Sequence, residues 1–281
     1  YLQRQNTQNT LRNIKFFRND KISLILDLID QNYVDSIDRN QIVESVLPEI
    51  LNQLDPHSTY IAAEEMQGVN DEMRGNFSGI GVQFVMQNDT LMILEVISGG
   101  PSFKLGIQPG DRIIQVNERV IAGVNLPSDS IVGMLKGKKG THVNVHIKRA
   151  NMPDLLHFDI ERGEIPIFSV DVAYMFSDSI GLIKVNKFAE TTYREFKQGI
   201  DQLRKQGATK LIVDLRGNTG GYLQAVFQMV DEFLPEDQMI VYTEGNARAR
   251  YEYRSTRNAS YIDLDVAVLI DEFSASASEI F

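Results

Sequence analysis

Three serines alternate with alanines and precede a glutamate in 271-DEFSASASEIF-281, at the end of the 281-residue chain. A serine hydroxyl is a weak nucleophile until a base activates it. Its surroundings decide whether it can be used. The apolar run 265-DVAVLI-270 reads as a buried strand, and the small residues after it read as a sharp turn into a helix. A helix start offers free N–H groups and positive partial charge, a good place for a nucleophile beside an oxyanion site. The run Ser276-Ala-Ser-Glu279 is equally an S-x-x-E capping box, which begins a helix without any chemistry.

A second strand end favours the chemical reading. In 210-KLIVDLRGNTGGYL-223 a buried strand finishes on Asp214, turns through Arg216, Asn218 and two glycines, and opens a helix. Glycines there let the backbone approach a ligand closely. Two such strand ends side by side make a crevice at the carboxyl edge of a parallel sheet, where ligands of open α/β folds bind.

A third stretch, 78-SGIGVQF-84, is a glycine–apolar alternation before a strand. Successive N–H groups of Gly79, Ile80, Gly81 and Val82 can receive a carboxylate, and an extended peptide can add to the sheet edge beside it. By itself the stretch is also an ordinary turn. Ile131 and Leu135, on a helix predicted over Ser128–Lys136, line such a pocket or pack a core.

No base for Ser276 is evident. His142 and His146 share one strand face, His157 falls in a polar connector, and His57 belongs to the turn 54-LDPHSTYI-61. Lys184 sits on a predicted core strand with nothing to aim it at the serine. There is no cysteine, no His-x-x-x-His on a helix, no EF-hand loop and no P-loop, so no metal or cofactor is expected. The net charge of −10 argues against nucleic acid as a partner. No apolar run reaches the roughly 20 residues of a membrane span.

These groups need elements to position them. Residues 11–53 show helical spacing, with a second helix from about Asp38 to Leu54 and another over 62–73. From 80 onward the period becomes that of strands: a hairpin over 80–97, a strand up to Ile121, and a strand 141–149 that closes the unit. Strands at 179–188, 210–215 and 265–270 alternate with helices at 190–207 and 221–234, which predicts a parallel sheet covered by helices. The expectation is an α+β multidomain protein: an N-terminal helical region 1–74, a β domain 75–150 and an α/β core 151–281. The connectors near Met66–Gly75 and Ala150–Glu164 are expected to be hinges.

The order FSGIGVQF, GGPSFKLGIQPGD, helix, KGKKGTHVNVHIKR resembles a bacterial PDZ domain. Together with DPHSTYI, FAETTYREF, DLRGNTGG and SASASEIF it resembles the carboxyl-terminal processing, or tail-specific, proteases over nearly the whole chain. The resemblance implies a crotonase-like core, Ser276 as nucleophile, and an oxyanion hole from the N–H groups of Ala277 and Gly220. It implies a PDZ loop at Gly79–Val82 that holds the terminal carboxylate of a substrate polypeptide. It also implies a location in a periplasm or at a membrane outside the cytoplasm, with a membrane-associating segment ahead of Tyr1. The family's base is a lysine following the serine, with a glutamine nearby, and neither occurs after Ser276 here. The expectation is a Ser/Lys endopeptidase whose 281-residue form is inactive, or a peptide-binding module without chemistry.

Overall fold

A computed structural model describes residues 21–281. The helical reading of residues 11–20 lies outside them. Contacts divide the described residues into two compact units, the first ending at Met66 and the second spanning Gln67–Phe281. The first unit holds α1 (Lys21–Asn32) and α2 (Arg39–Leu51). Asp38 caps α2, its carboxylate accepting the N–H groups of Asn40 and Gln41 at 2.9 and 3.2 Å. The DPHSTYI turn is closed by Asp55, which accepts the Ser58 hydroxyl at 2.9 Å and the His57 N–H at 2.8 Å. These bonds, the Ser58 one foremost, hold its carboxyl below the usual range.

In the second unit α3 (Met66–Arg74) runs through Gly75 into β1 (Asn76–Gly79). There follow β2 (Val82–Met86), β3 (Leu91–Val96), the short α4 (Pro101–Lys104), β4 (Arg112–Val116), β5 (Arg119–Val120), α5 (Ser128–Leu135), β6 (His142–Lys148), β7 (Leu156–Glu161) and β8 (Gly163–Pro166). An antiparallel sheet runs β2-β3-β4-β6-β7, with β5 on β4. The β2–β3 hairpin turns on Asn88 and Asp89, both at φ 52°, the left-handed pair that a tight hairpin needs. Its core is aliphatic: Leu91, Ile93, Ile113, Ile131, Val143, Val145, Ile147 and Ile160 are fully buried.

One expectation needs correction here. The strand 142–148 does not close this domain; β7 pairs with it from His142↔Glu161 to Ile147↔Leu156. His157 is therefore a strand residue packed edge-on against His146, with ring centroids 4.1 Å apart. The segments expected to be hinges contain α3, β7 and the start of β8. β1 and β8 pair antiparallel as a stem by which the chain enters and leaves the domain. The stem is tied to the rest of its unit through α3. Glu72 pairs with Lys187, and the Glu190 N–H donates to Met73 O at 2.8 Å. Gly75 packs so closely on Thr191 that a Cβ there would lie 2.5 Å from its hydroxyl oxygen.

The core follows as β9 (Val170–Met175), β10 (Ile180–Val185), α6 (Thr192–Lys205), β11 (Lys210–Asp214), α7 (Leu223–Asp231), the hairpin β12 (Met239–Gly245) and β13 (Arg248–Arg254), β14 (Asp265–Leu269) and α8 (Ala277–Ile280). The sheet order is β14-β11-β10-β9, with β10, β11 and β14 parallel and β9 antiparallel. Phe196, Ile200 and Leu203 recur along one face of α6 and bury in one cluster with Ile183, Val185 and Val213 of the sheet. Gly181 permits the approach, since a Cβ there would meet Leu203 Cδ1 at 2.8 Å. At the ends of α6 and α7, buried Glu232 accepts Tyr193 Oη, Lys197 Nζ and the Ser260 N–H.

Candidate active site and peptide groove

β11 and β14 lie side by side, Asp214 opposite Leu269, so the DLRGNTGG and SASASE loops leave the sheet at one edge. Asn218 joins them. It is fully buried. Its side-chain amide donates to Val185 O at 2.9 Å, and its backbone carbonyl accepts the Ala275 N–H at 3.2 Å and the Ser278 hydroxyl at 2.8 Å. Ser274 Oγ donates to Leu215 O at 2.9 Å, and Asp271 accepts the Gly217 N–H at 2.9 Å. Phe188 fixes the far side of the turn: its N–H donates to Gly220 O at 3.0 Å and its carbonyl accepts Tyr222 N–H at 2.6 Å.

Ser276 stands at φ 54°, ψ −113°. A non-glycine residue adopts this region only where the surroundings force it, as at the strand-to-helix elbow that exposes a nucleophile. Glu279 reaches back to accept the Ser276 N–H at 2.6 Å, so the carboxylate of the S-x-x-E motif does steady the helix start. The cap and the elbow coexist. Ala277 is buried, and its N–H has no acceptor among the described residues. Gly220 faces the serine at φ 107°; a Cβ there would lie 2.7 Å from Ser276 Cβ and 3.1 Å from Ala277 N. Its own N–H donates to Asn218 Oδ1 at 2.9 Å. The two residues implied for an oxyanion hole thus flank Ser276, with Ala277 N–H unpaired and Gly220 N–H engaged.

Lys184 does not reach the serine. Its Nζ donates to Arg216 O at 2.8 Å and lies 3.9 Å from Asp214. Asp214 accepts the Arg216 guanidinium at 2.9 and 2.8 Å. Arg216 first, and Lys184 after it, hold the Asp214 carboxyl below the ordinary range. His142 and His157 belong to the β6–β7 pair of the other domain. Among the described residues no lysine or histidine side chain is hydrogen-bonded to Ser276. No group of three or more His, Asp or Glu among them is placed to hold a metal.

The second candidate lies between β2 and α5. A cavity of about 110 Å³ is lined by Phe77, Gly79, Ile80, Gly81, Val82, Phe84, Val132, Leu135 and Lys136. The carbonyls of Ile80 and Gly81 are taken by Ser102 and Ile97 N–H groups at 3.0 Å each, while the Ile80 and Gly81 N–H groups have no acceptor among the described residues. Both residues are buried, and a buried N–H ordinarily has a hydrogen-bond acceptor. Gly81 is at φ 75°, and a Cβ would stand 2.9 Å from Ile165 Cδ1. β2 is an edge strand, open to addition of another. Leu135 lines the cavity and packs in the domain core as well. Ile131 does not line it: it is wholly buried in the domain core, and Val132, one residue on around the helix, takes the lining position.

Residues 179–281 match the family model of peptidase family S41, and residues 78–160 match that of the PDZ domain. The carboxy-terminal processing protease CtpB of Bacillus subtilis is 34% identical over 266 residues, covering 93% of this chain and 54% of that protein. A probable CtpA-like serine protease of Staphylococcus epidermidis is 32% identical, covering 93% and 52%. CtpA of Bacillus subtilis is 31% identical, covering 93% and 55%. The chain spans about half the length of these relatives.

Proposed function

Because the chain belongs to the carboxyl-terminal processing protease family, peptidase family S41 joined to a PDZ domain, we propose that it serves a serine endopeptidase. In this reading the PDZ groove grips the carboxyl end of an unstructured polypeptide, and Ser276 cleaves it. The observation that carries the reading is the strained Ser276 backbone, packed against Gly220 and followed by the unpaired Ala277 N–H. Ser276 Oγ would attack the scissile carbonyl, and the developing oxyanion would fall to Ala277 N–H. Gly220 N–H would join after release from Asn218 Oδ1. The attacking hydroxyl must lose its proton to a base. The family resemblance makes that base a lysine, and the lysine is not among the residues bonded to Ser276.

One observation favours a second reading, a C-terminal-peptide-binding module without chemistry: among the described residues Ser276 has no lysine or histidine partner, and Gly220 N–H is occupied. A serine-directed fluorophosphonate separates the two. Labelling of Ser276, with cleavage of an unstructured peptide that the S276A variant lacks, supports the protease. Peptide binding without labelling or cleavage supports the module. The same reading places the protein outside the cytoplasm, in a periplasm or held at a membrane, which cell fractionation tests.

A further inference from the structure

We propose that His146 and His157 bind a divalent transition-metal ion of the zinc type on the outer face of the PDZ-domain sheet. The chain has four histidines, and three of them stand on one face of the β6–β7 ladder. Side chains alternate across a strand, so Val143, Val145 and Ile147 of β6 bury in the core while His142, Asn144 and His146 face away from it. β7 repeats the pattern: Ile160 is buried, and His157, Asp159 and Glu161 are exposed. The register sets His146 directly opposite His157, and Asn144 opposite Asp159. Such cross-strand neighbours stand about 4.5–5.5 Å apart at Cβ. The two imidazole centroids are 4.1 Å apart, with the rings inclined at 67°.

The pair is otherwise unengaged. Among the described residues neither ring makes a hydrogen bond or an ion pair; each meets only the other. His142, by contrast, is tied through Nδ1 to Asp159 at 2.9 Å. The neighbouring cations are held elsewhere: Lys148 Nζ donates to Met152 O and Pro153 O at 2.6 and 2.8 Å, and Arg149 pairs with Asp111. Asp159, two residues on from His157 along the same face, brings negative charge beside the pair. A zinc–imidazole bond is about 2.0–2.1 Å, so an ion shared by two rings needs their nitrogens within about 4 Å of each other. Rings at this centroid distance meet that condition. Imidazole selects zinc, copper or nickel over magnesium and calcium, which prefer oxygen. Among the described residues no third ligand is preformed, so water completes the coordination. The ion would staple β7, an edge strand, to β6, just before the chain leaves the domain through β8. The site stands at the β7 edge of the sheet, and the peptide groove at the opposite, β2 edge.

The test titrates Zn2+ into the untagged protein by calorimetry, in a buffer that does not bind zinc. The unaltered protein, H146N, H157N, H142N and H57N are compared. The unaltered protein is expected to take up about one ion per chain. H146N and H157N should each weaken binding at least about tenfold, because the second ligand of a pair acts at high effective concentration. H142N and H57N should stay within about twofold, since neither removes a member of the pair. Zn2+ should raise the unfolding midpoint of the unaltered protein and leave that of H146N in place. Mg2+ should not bind. No zinc uptake, a loss in H142N or H57N as large as in H157N, or equal binding of Mg2+ overturns the proposal. If the His146 and His157 variants fail to fold, the ring NMR signals of the unaltered protein decide: Zn2+ should shift those of His146 and His157, and signals that stay in place overturn the site.

Discussion

Gly220 stands against Ser276 so closely that a Cβ on the glycine would lie 2.7 Å from the serine Cβ. No side chain fits there. The position also sits at φ 107°, where an L-residue is strained. Replacing Gly220 with alanine should therefore displace the serine loop. Expected is a loss of cleavage of at least about a hundredfold, the scale of a lost oxyanion-hole donor, with a stability loss of about 1–3 kcal/mol. Kinetics and urea unfolding of G220A check both. Near-normal cleavage would mean that the two loops do not act together.

Asn218 ties three chain segments from a fully buried position. Alanine there leaves Val185 O without its donor and Gly220 N–H without its acceptor. The expected loss is about 2–3 kcal/mol, set by unpaired buried groups. N218D should do no better, because a carboxylate cannot donate to Val185 O. Thermal unfolding of the two variants reads this directly.

Lys184 is bonded to Arg216 O and stands near Asp214, not Ser276. K184M should keep the reactivity of Ser276 toward a fluorophosphonate within about twofold, the small change expected of a group absent from the reaction. A collapse of labelling without loss of fold would make Lys184 the base.

The Glu232 cluster sets an acid limit to the stability of the core. Burial raises the Glu232 carboxyl, but bonds from Lys197, Tyr193 and Ser260 outweigh it and leave the group below its ordinary 4.5. A depressed carboxyl stabilises the fold above the unfolded value and loses that contribution as pH falls through the folded one. Urea midpoints should therefore drop as pH falls below 4.5, and E232Q should flatten that limb. The Lys197 side chain is 35% exposed, so E232A should cost only about 2 kcal/mol at neutral pH, less than a fully buried pair.

Ile131 and Val132 separate folding from binding on one helix. Ile131 is in the core and Val132 lines the cavity. I131A should cost about 2–4 kcal/mol, the usual range for such a truncation. V132A should lower peptide affinity by a few-fold with little change in stability, because one lining contact is shortened. The reverse pattern would exchange their places.

Much of this architecture was legible because each motif ends an apolar run. Gly220 follows 210-KLIVDL-215, an apolar run whose Leu211, Val213 and Leu215 are buried as read. By contrast 265-DVAVLI-270 ahead of Ser276, read as equally buried, is the exposed edge strand of the sheet among the described residues. Asn218 gave no such signal; a polar residue in a glycine-rich turn reads as solvated until the two loops close over it. β7 was hidden by the polar, proline-containing residues before it, although 156-LHFDIE-161 alternates as an outer strand should. The β12–β13 hairpin is mostly exposed and rich in Arg, Tyr and Glu, so it shows no apolar period. Ile131 and Val132 are both apolar on an eight-residue helix, and periodicity could not assign one inward and the other to the groove.

The central claim is that Ser276 is a nucleophile held for acyl transfer. Its most direct test is mass-spectrometric mapping of a fluorophosphonate adduct on the protein purified from its natural host, alongside S276A. The account predicts one adduct, on Ser276, absent from S276A, with loss of tail-peptide cleavage in step. Cleavage that survives both the adduct and S276A, or an adduct on another serine that accounts for the activity, would contradict it.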